Sequence, residues 1–383
     1  MTLNGLLLNP RMPDFEAAAL RHGWESVGEV AFPHHVAVAT SGSSGAPRKL
    51  VALSHAALES SARSMNLRLK CEAHDIWYKT LPDFHVGGIG IRVRAQLAGC
   101  EIIQAPSDTK WNPSGLAGAI GDCGATLVSL VPTQLFDLAR AGVRAPRCLR
   151  TVVVGGGALA ESVRAAACDL GWPVLASYGL SECASTVAIA DDQSDLVDSA
   201  ASVDSAVPRL RLLSHVEARV DNDGLLLLKS PALLSGYVLF DGEPRAIDPK
   251  RSGGWFKTED QALLHDKFLK PLGRDIDFIK IGGEQSSLAR LEAIFDQARM
   301  EAGGSADAVL VAIADERLGH SIRLLCACTD IDQATALAAR YNLKVHPFER
   351  VRGIHACERI PRSPLGKVLR KEAMAFIVAS DHA

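Results

Sequence analysis

Thr40 to Lys49 reads TSGSSGAPRK, and the interpretation of these ten residues decides the fold. The run sets small and hydroxyl residues side by side, then a proline, then two cations. Little side-chain bulk lets backbone N–H groups turn inward on an anion. The Ser and Thr hydroxyls add donors, and Arg48 and Lys49 add positive charge, which is the chemistry of a phosphate cradle. A Gly/Ser-rich run is also the composition of a flexible linker. The flanks argue against a linker. Residues 34–40, HHVAVAT, alternate and are β-branched, as in a buried strand. Residues 54–65, SHAALESSARSM, open on a capping residue, Ser54, and run with helical spacing. The loop is not a Walker A motif, because Gly45 is followed by Ala46, Pro47 and Arg48 rather than by Lys and a hydroxyl residue.

Working outward, strand-like runs at 75–81, 125–131, 149–155 and 173–179 alternate with helical runs at 132–141 and 161–170. That alternation predicts an α/β layered sheet with helices on its faces. Residues 215–220 and 224–230 flank DNDG and predict an antiparallel hairpin. A boundary is expected near 270–284, dividing a large domain, 1–272, from a small α+β domain, 273–383. In the small domain helices are expected at 287–300, 333–342 and 366–380, and strands at 308–315 and 321–329.

The chain has 383 residues, 48% hydrophobic and 22% charged, with a net charge of −3. These values fit an ordinary globular protein and carry no basic nucleic-acid footprint. The cysteines include no C-x-x-C pair, which argues against a zinc or redox motif. The start has no basic region ahead of an apolar core, and no run approaches the ~18 apolar residues of a membrane span. A cytoplasmic protein with no membrane or nucleic-acid partner is therefore expected.

Further motifs join the loop. LPDFHVGG (81–88) sets His85 in a loop after a strand. VVVGGGAL (152–159) puts glycines at a strand end, where a flat ring could lie on bare backbone. SYGLSE (177–182) supplies an aromatic ring, a hydroxyl and a carboxylate. GGWFKTED (253–260) and GRDIDFIKIGGE (273–284) bring Asp260 and Arg274. RIPRSPLGKVLRK (359–371) puts Lys367 beside Gly366. Each has an ordinary reading: a partly buried histidine, a tight turn, a solvated carboxylate, a surface lysine. Their joint order along one chain is what those readings leave unexplained.

In that order the motifs resemble the AMP-forming, adenylate-forming enzymes: acyl- and aryl-CoA ligases, nonribosomal adenylation domains and luciferases. LPDFHVGG, SLVPTQLFDLAR, VVVGGGAL and YGLSECASTV are most similar to the 2-succinylbenzoate–CoA ligases of menaquinone biosynthesis. The resemblance implies a large α/β domain, shortened here at its start, and a small mobile C-terminal domain. It implies ATP-dependent activation of a carboxylic acid as acyl-AMP, then transfer to CoA, with Mg2+ required. By the same resemblance Thr40, Ser41, Gly42, Ser43, Ser44, Gly45, Arg48 and Lys49 hold the β- and γ-phosphates. Gly156, Gly157 and Ala158 lie along the adenine, with Tyr178 and Gly179 against the ring. Ser181 touches the α-phosphate and Glu182 holds the metal. Asp260, helped by Arg274, accepts the ribose hydroxyls. Lys367 reaches the substrate carboxylate and α-phosphate. His85, Ser185 and Thr186 border the acyl pocket, and Gly282 and Gly283 flank the pantetheine path.

The chain departs from the family pattern in three places. Arg48 stands where the phosphate-loop lysine is usual, with Lys49 next to it. Ile276 stands at the usually polar hinge position. Only 39 residues precede Thr40, so the family's N-terminal packing layer is short, and a homodimer is expected to cover the exposed face. The alternatives are an aryl- or acyl-CoA ligase for another acid or transfer to a carrier protein's phosphopantetheine, and, second, a nucleotide-binding pseudoenzyme. Retention of Glu182, Asp260, Arg274 and Lys367 together argues against the second.

Overall fold

The structure is a computed structural model that describes residues 5–40, 49–106, 111–190, 210–240, 243–250, 252–274, 278–281, 284–303, 307–327, 331–363, 366 and 368–381. Ser41 to Arg48, Ile276, Gly282, Gly283 and Lys367 therefore lie outside the described residues, as does the side chain of Arg274.

An eleven-stranded mixed sheet forms the body. Its parallel half runs Glu101–Gln104, Ile76–Lys79, Leu127–Leu130, Thr151–Val154 and Val174–Leu180. The middle strands of this half are near-continuous apolar runs because helices cover the sheet. Helices Pro113–Cys123, Pro132–Arg140 and Glu161–Asp169 bury Ile120, Leu135, Leu138 and Val163 against Val128, Val152 and Val154. The sheet switches sense at Val174–Leu180, which is parallel to Thr151–Val154 and antiparallel to Ser185–Ile189. The antiparallel half continues through Leu210–Leu212, Phe268–Arg274, Phe256–His265, Leu225–Lys229 and Glu217–Val220. The last two strands are the expected hairpin.

A second, five-stranded sheet runs Gly5–Leu7, Val36–Ala39, Leu50–Leu53, Gly236–Leu239, Arg245–Ile247. Val36–Ala39 and Leu50–Leu53, the strands on either side of residues 40–49, pair antiparallel. Thr40 N–H donates to the Lys49 carbonyl at 3.0 Å and closes the base. Helix His55–Leu69 follows, capped as expected: the Ala57 N–H donates to Ser54 Oγ at 3.1 Å.

The C-terminal part is α+β with its own core. Helix Leu288–Glu301 and helix Ile331–Asn342 pack Leu291, Phe295, Leu337 and Tyr341 onto strands Phe278–Ile281, Ala308–Asp315 and Gly319–Cys326. The last helix is corrected by the structure. It starts at Arg370 rather than 366, because Gly366 has φ +77 and the Leu369 N–H turns back to Pro361. A further edge strand, Val351–Ala356, runs parallel to Gly319–Cys326. No described helix is long and apolar enough to cross a membrane.

Candidate active site

The strands of the parallel half deliver four motifs to one edge of the sheet. Ile76–Lys79 leads to His85, Leu127–Leu130 to Val131 and Pro132, Thr151–Val154 to the glycines, and Val174–Leu180 to Ser181 and Glu182. In open α/β sheets ligands bind in the crevice at the carboxyl ends of strands, where the topology switches.

Gly156, Gly157 and Ala158 form an exposed, bare-backbone shelf beside Val131 and Pro132. Gly156 has φ +81, a conformation that favours glycine. Ser177 Oγ donates to the Val154 carbonyl at 3.0 Å and holds the neighbouring strand end. At Gly179 a Cβ would lie 2.0 Å from the Ser185 carbonyl oxygen, so only glycine lets the turn close. That turn carries Ala184 at φ +47 and Ser185 at φ +102, a strained backbone of the kind found at functional sites.

Tyr178 donates its hydroxyl hydrogen to Asp260 Oδ2. Asp260 lies opposite Arg274 in the ladder of Phe256–His265 and Phe268–Arg274, so the two expected ribose-side residues are cross-strand neighbours. Glu182 is nearly enclosed, its side chain 12% exposed. Its Oε1 accepts from the Tyr237 hydroxyl at 2.8 Å and lies 3.3 Å from Lys49 Nζ. Lys49 also donates to the Tyr237 hydroxyl at 3.1 Å and sits 4.2 Å from the ring centroid. The loop base and the expected metal-binding carboxylate are thus joined through one lysine.

His85 precedes helix Val86–Ala98 and packs on Phe84, their centroids 4.8 Å apart. Burial pulls its pKa down to about 4, so it is neutral at pH 7. Its loop is pinned by Asp83, which accepts from Arg92 Nε at 2.7 Å and pairs with the buried Lys79 at 2.9 Å.

Thr186 is buried and its hydroxyl accepts from Arg94 Nη2 at 3.1 Å. Arg94 is 2% exposed, and burial draws its pKa down to about 10, which still leaves it charged at neutral pH. Its Nε has no hydrogen-bond partner, and among the described residues no carboxylate pairs with it. A Cβ on Gly90 would lie 3.4 Å from Arg94 Nη2 and 3.7 Å from Ser185 Cβ. The bare backbone of Gly90 therefore faces both the buried cation and the expected acyl wall. His215, also lowered to about 4 by burial and then by Arg94, has both ring nitrogens buried without partners. Arg94 and Tyr237 were missed from sequence. The signal for Arg94 was available: of the two arginines on this glycine-rich helix, Arg92 and Arg94, Arg94 falls among the buried positions.

The C-terminal part reaches this edge. Arg299 lies 3.7 Å over the Phe136 ring, and Ala293 and Met300 pack on the large body's core. A Cβ on Gly366, next to Lys367 in sequence, would lie 2.8 Å from Thr133 Oγ1, two residues past Val131.

The sequence signature of the family described as AMP-binding enzyme matches residues 29–238, more than half of the chain. The chain belongs to the family of AMP-binding enzymes. A 2-succinylbenzoate–CoA ligase of Bacillus cereus is 26% identical to this AMP-binding enzyme over 352 residues, covering 88% of this chain and 69% of that protein. The o-succinylbenzoate CoA synthetase of Bacillus subtilis, in complex with the acyl-adenylate OSB-AMP, superposes with a TM-score of 0.72 at 22% identity, over 88% of this chain and 68% of that one. The same enzyme in complex with ATP and magnesium ion gives 0.69 at 22% identity, over 88% and 69%. The AMP-binding enzyme therefore has the adenylate-forming fold that the motifs implied. The expected class, an AMP-forming acid–CoA ligase, is borne out by the family and by relatives of that class.

Proposed function

We propose that the protein activates 2-succinylbenzoate with ATP and passes the acyl group to CoA. The single observation that carries the choice of acid is Arg94, a buried guanidinium without a carboxylate partner among the described residues, beside Thr186 and Ser185. A buried cation of this kind requires an anion. An acid with a second carboxylate brings one, and a fatty acid does not. The relatives' substrate and the ligands of the solved neighbours agree with this reading.

In the first half-reaction a carboxylate oxygen of the acid attacks the α-phosphorus of ATP. The acyl–phosphate bond forms and pyrophosphate leaves. The reactants are both anionic, so Lys49, the cations of the loop and Lys367 act by neutralising charge. Asp260 accepts the ribose hydroxyls, and the glycine shelf with Tyr178 takes the base. Among the described residues no group of three His, Cys, Asp or Glu could hold a metal ion by itself. Glu182, at the base of the loop, is the carboxylate that would hold Mg2+ brought in with the nucleotide. When bound, Mg2+ adds positive charge where the phosphates meet. In the second half-reaction the CoA sulfur attacks the acyl carbon and AMP leaves. We assign this step to a rotation of a small domain, residues 273–383, about a hinge. Its separate core supports that assignment.

A second reading keeps adenylation but delivers to a carrier protein. Arg350, Arg352 and Arg359 are exposed on and beside the edge strand Val351–Ala356, a surface suited to an acidic partner. Incubation with ATP, Mg2+ and either CoA or a holo-carrier protein decides between them. The expected result is a CoA thioester of 2-succinylbenzoate, formed faster than that of any medium-chain fatty acid. Faster fatty-acid turnover contradicts the choice of acid, and thioester on the carrier alone contradicts CoA.

A further inference from the structure

Lys49 stands one place beyond the residue aligned with the family's phosphate-loop lysine, and its side chain turns to Glu182. Its backbone is fixed: the Lys49 carbonyl accepts from Thr40 N at 3.0 Å and from Thr40 Oγ1 at 3.4 Å. Its ammonium lies between Glu182 Oε1 at 3.3 Å, the Tyr237 hydroxyl at 3.1 Å and the Tyr237 ring, with the lysine side chain 28% exposed. Tyr237 is 5% exposed and lies opposite Val51 in the five-stranded sheet, so its ring is held in place by the sheet. One carboxylate oxygen therefore already serves a cation and a phenol. Bringing a divalent ion to that carboxylate would set two cations within a few ångströms of each other in a site mostly shielded from water, which is unfavourable. A triphosphate next to the loop removes the conflict by offering the ammonium another anion.

We propose that Lys49 is a resident counter-cation for Glu182 that exchanges partners on nucleotide binding. The ammonium leaves the carboxylate for the polyphosphate, and the carboxylate is released to the metal. Metal and triphosphate then bind as a unit, and each alone binds weakly. This rests on the reading of the site as one for ATP and Mg2+.

The test uses the full chain and measures two equilibria apart from turnover. Nucleotide-free Mn2+ binding is followed by electron paramagnetic resonance, and metal-free ATP binding by calorimetry in the presence of a chelator. Lys49→Met should bind Mn2+ at least about fivefold more tightly than the wild type, while Lys49→Arg stays within about twofold of it. Glu182→Gln should bind metal-free ATP at least about fivefold more tightly, because Lys49 is then released from its carboxylate. This second variant reads the same exchange from the other side if Lys49→Met fails to fold. Wild-type affinities in both variants would overturn the exchange while leaving the ATP site intact. Failure of Mn2+ and ATP together to bind the wild type would overturn the reading of the site and the exchange with it.

Discussion

Tyr178 and Asp260 meet at 2.5 Å, a hydrogen bond that joins the last parallel strand to an antiparallel strand 82 residues further along the chain. The bond fixes the carboxylate at the edge where the glycine shelf ends. Asp260→Ala should raise the KM for ATP about 10- to 100-fold, the range expected for hydrogen bonds to a charged acceptor, with the KM for the acid little changed. Tyr178→Phe should give a smaller increase, since the carboxylate stays. Steady-state kinetics with each substrate varied in turn checks both.

Gly179 and Gly118 make a paired test of backbone space. A Cβ at Gly179 would strike the Ser185 carbonyl at 2.0 Å, whereas nothing lies within 4 Å of one at Gly118, inside helix Pro113–Cys123. Gly179→Ala should lower stability by more than about 2 kcal/mol. Gly118→Ala should raise it by about 0.5–1 kcal/mol through helix propensity. Urea unfolding of the two variants measures the difference.

Arg94 is the residue on which the choice of acid turns. Arg94→Met should raise the KM for 2-succinylbenzoate by at least about 30-fold and leave that for ATP within about twofold, because a buried charge pair carries about 2–5 kcal/mol. The fold should survive, since a buried cation replaced by an apolar side chain of similar length removes a desolvation cost. Circular dichroism and the two KM values together separate loss of recognition from loss of fold.

His85 and His215 set a pH dependence of stability. Burial lowers each to about 4 in the folded protein, with the charge of Arg94 a second cause at His215, against 6.5 when unfolded. Between these values the unfolded chain binds more protons than the folded one. Stability should therefore be full above pH 6.5, decline as pH falls toward 4, and gain no further loss from these groups below that. His85→Gln and His215→Gln should each flatten the decline in urea midpoints between pH 6.5 and 4.5.

The parallel half of the large sheet was legible because apolar runs such as LVSL (127–130) and TVVV (151–154), buried on both faces, carry their own signal. The strands Phe256–His265 and Phe268–Arg274 were not, since FKTEDQALLH and FLKPLGR mix charge, proline and apolar residues without a period. Their pairing with each other, not their composition, makes them strands. The edge strand Val351–Ala356 was hidden for the same reason. Glycine and hydroxyl motifs of the site were readable because their chemistry is local to the backbone. The partners that give Arg94 and Tyr237 their places in the site, Thr186 and Glu182, lie 92 and 55 residues away in the chain.

ATP–pyrophosphate exchange tests the central claim most directly, because it reports acyl-adenylate formation without any thiol. With Mg2+ and labelled pyrophosphate, the protein should exchange label into ATP when 2-succinylbenzoate is present and only at background without an acid. Benzoate, which lacks the second carboxylate, should support at least about 30-fold less exchange at equal concentration. Exchange that is absent with every acid, or equal with benzoate and 2-succinylbenzoate, would contradict the account.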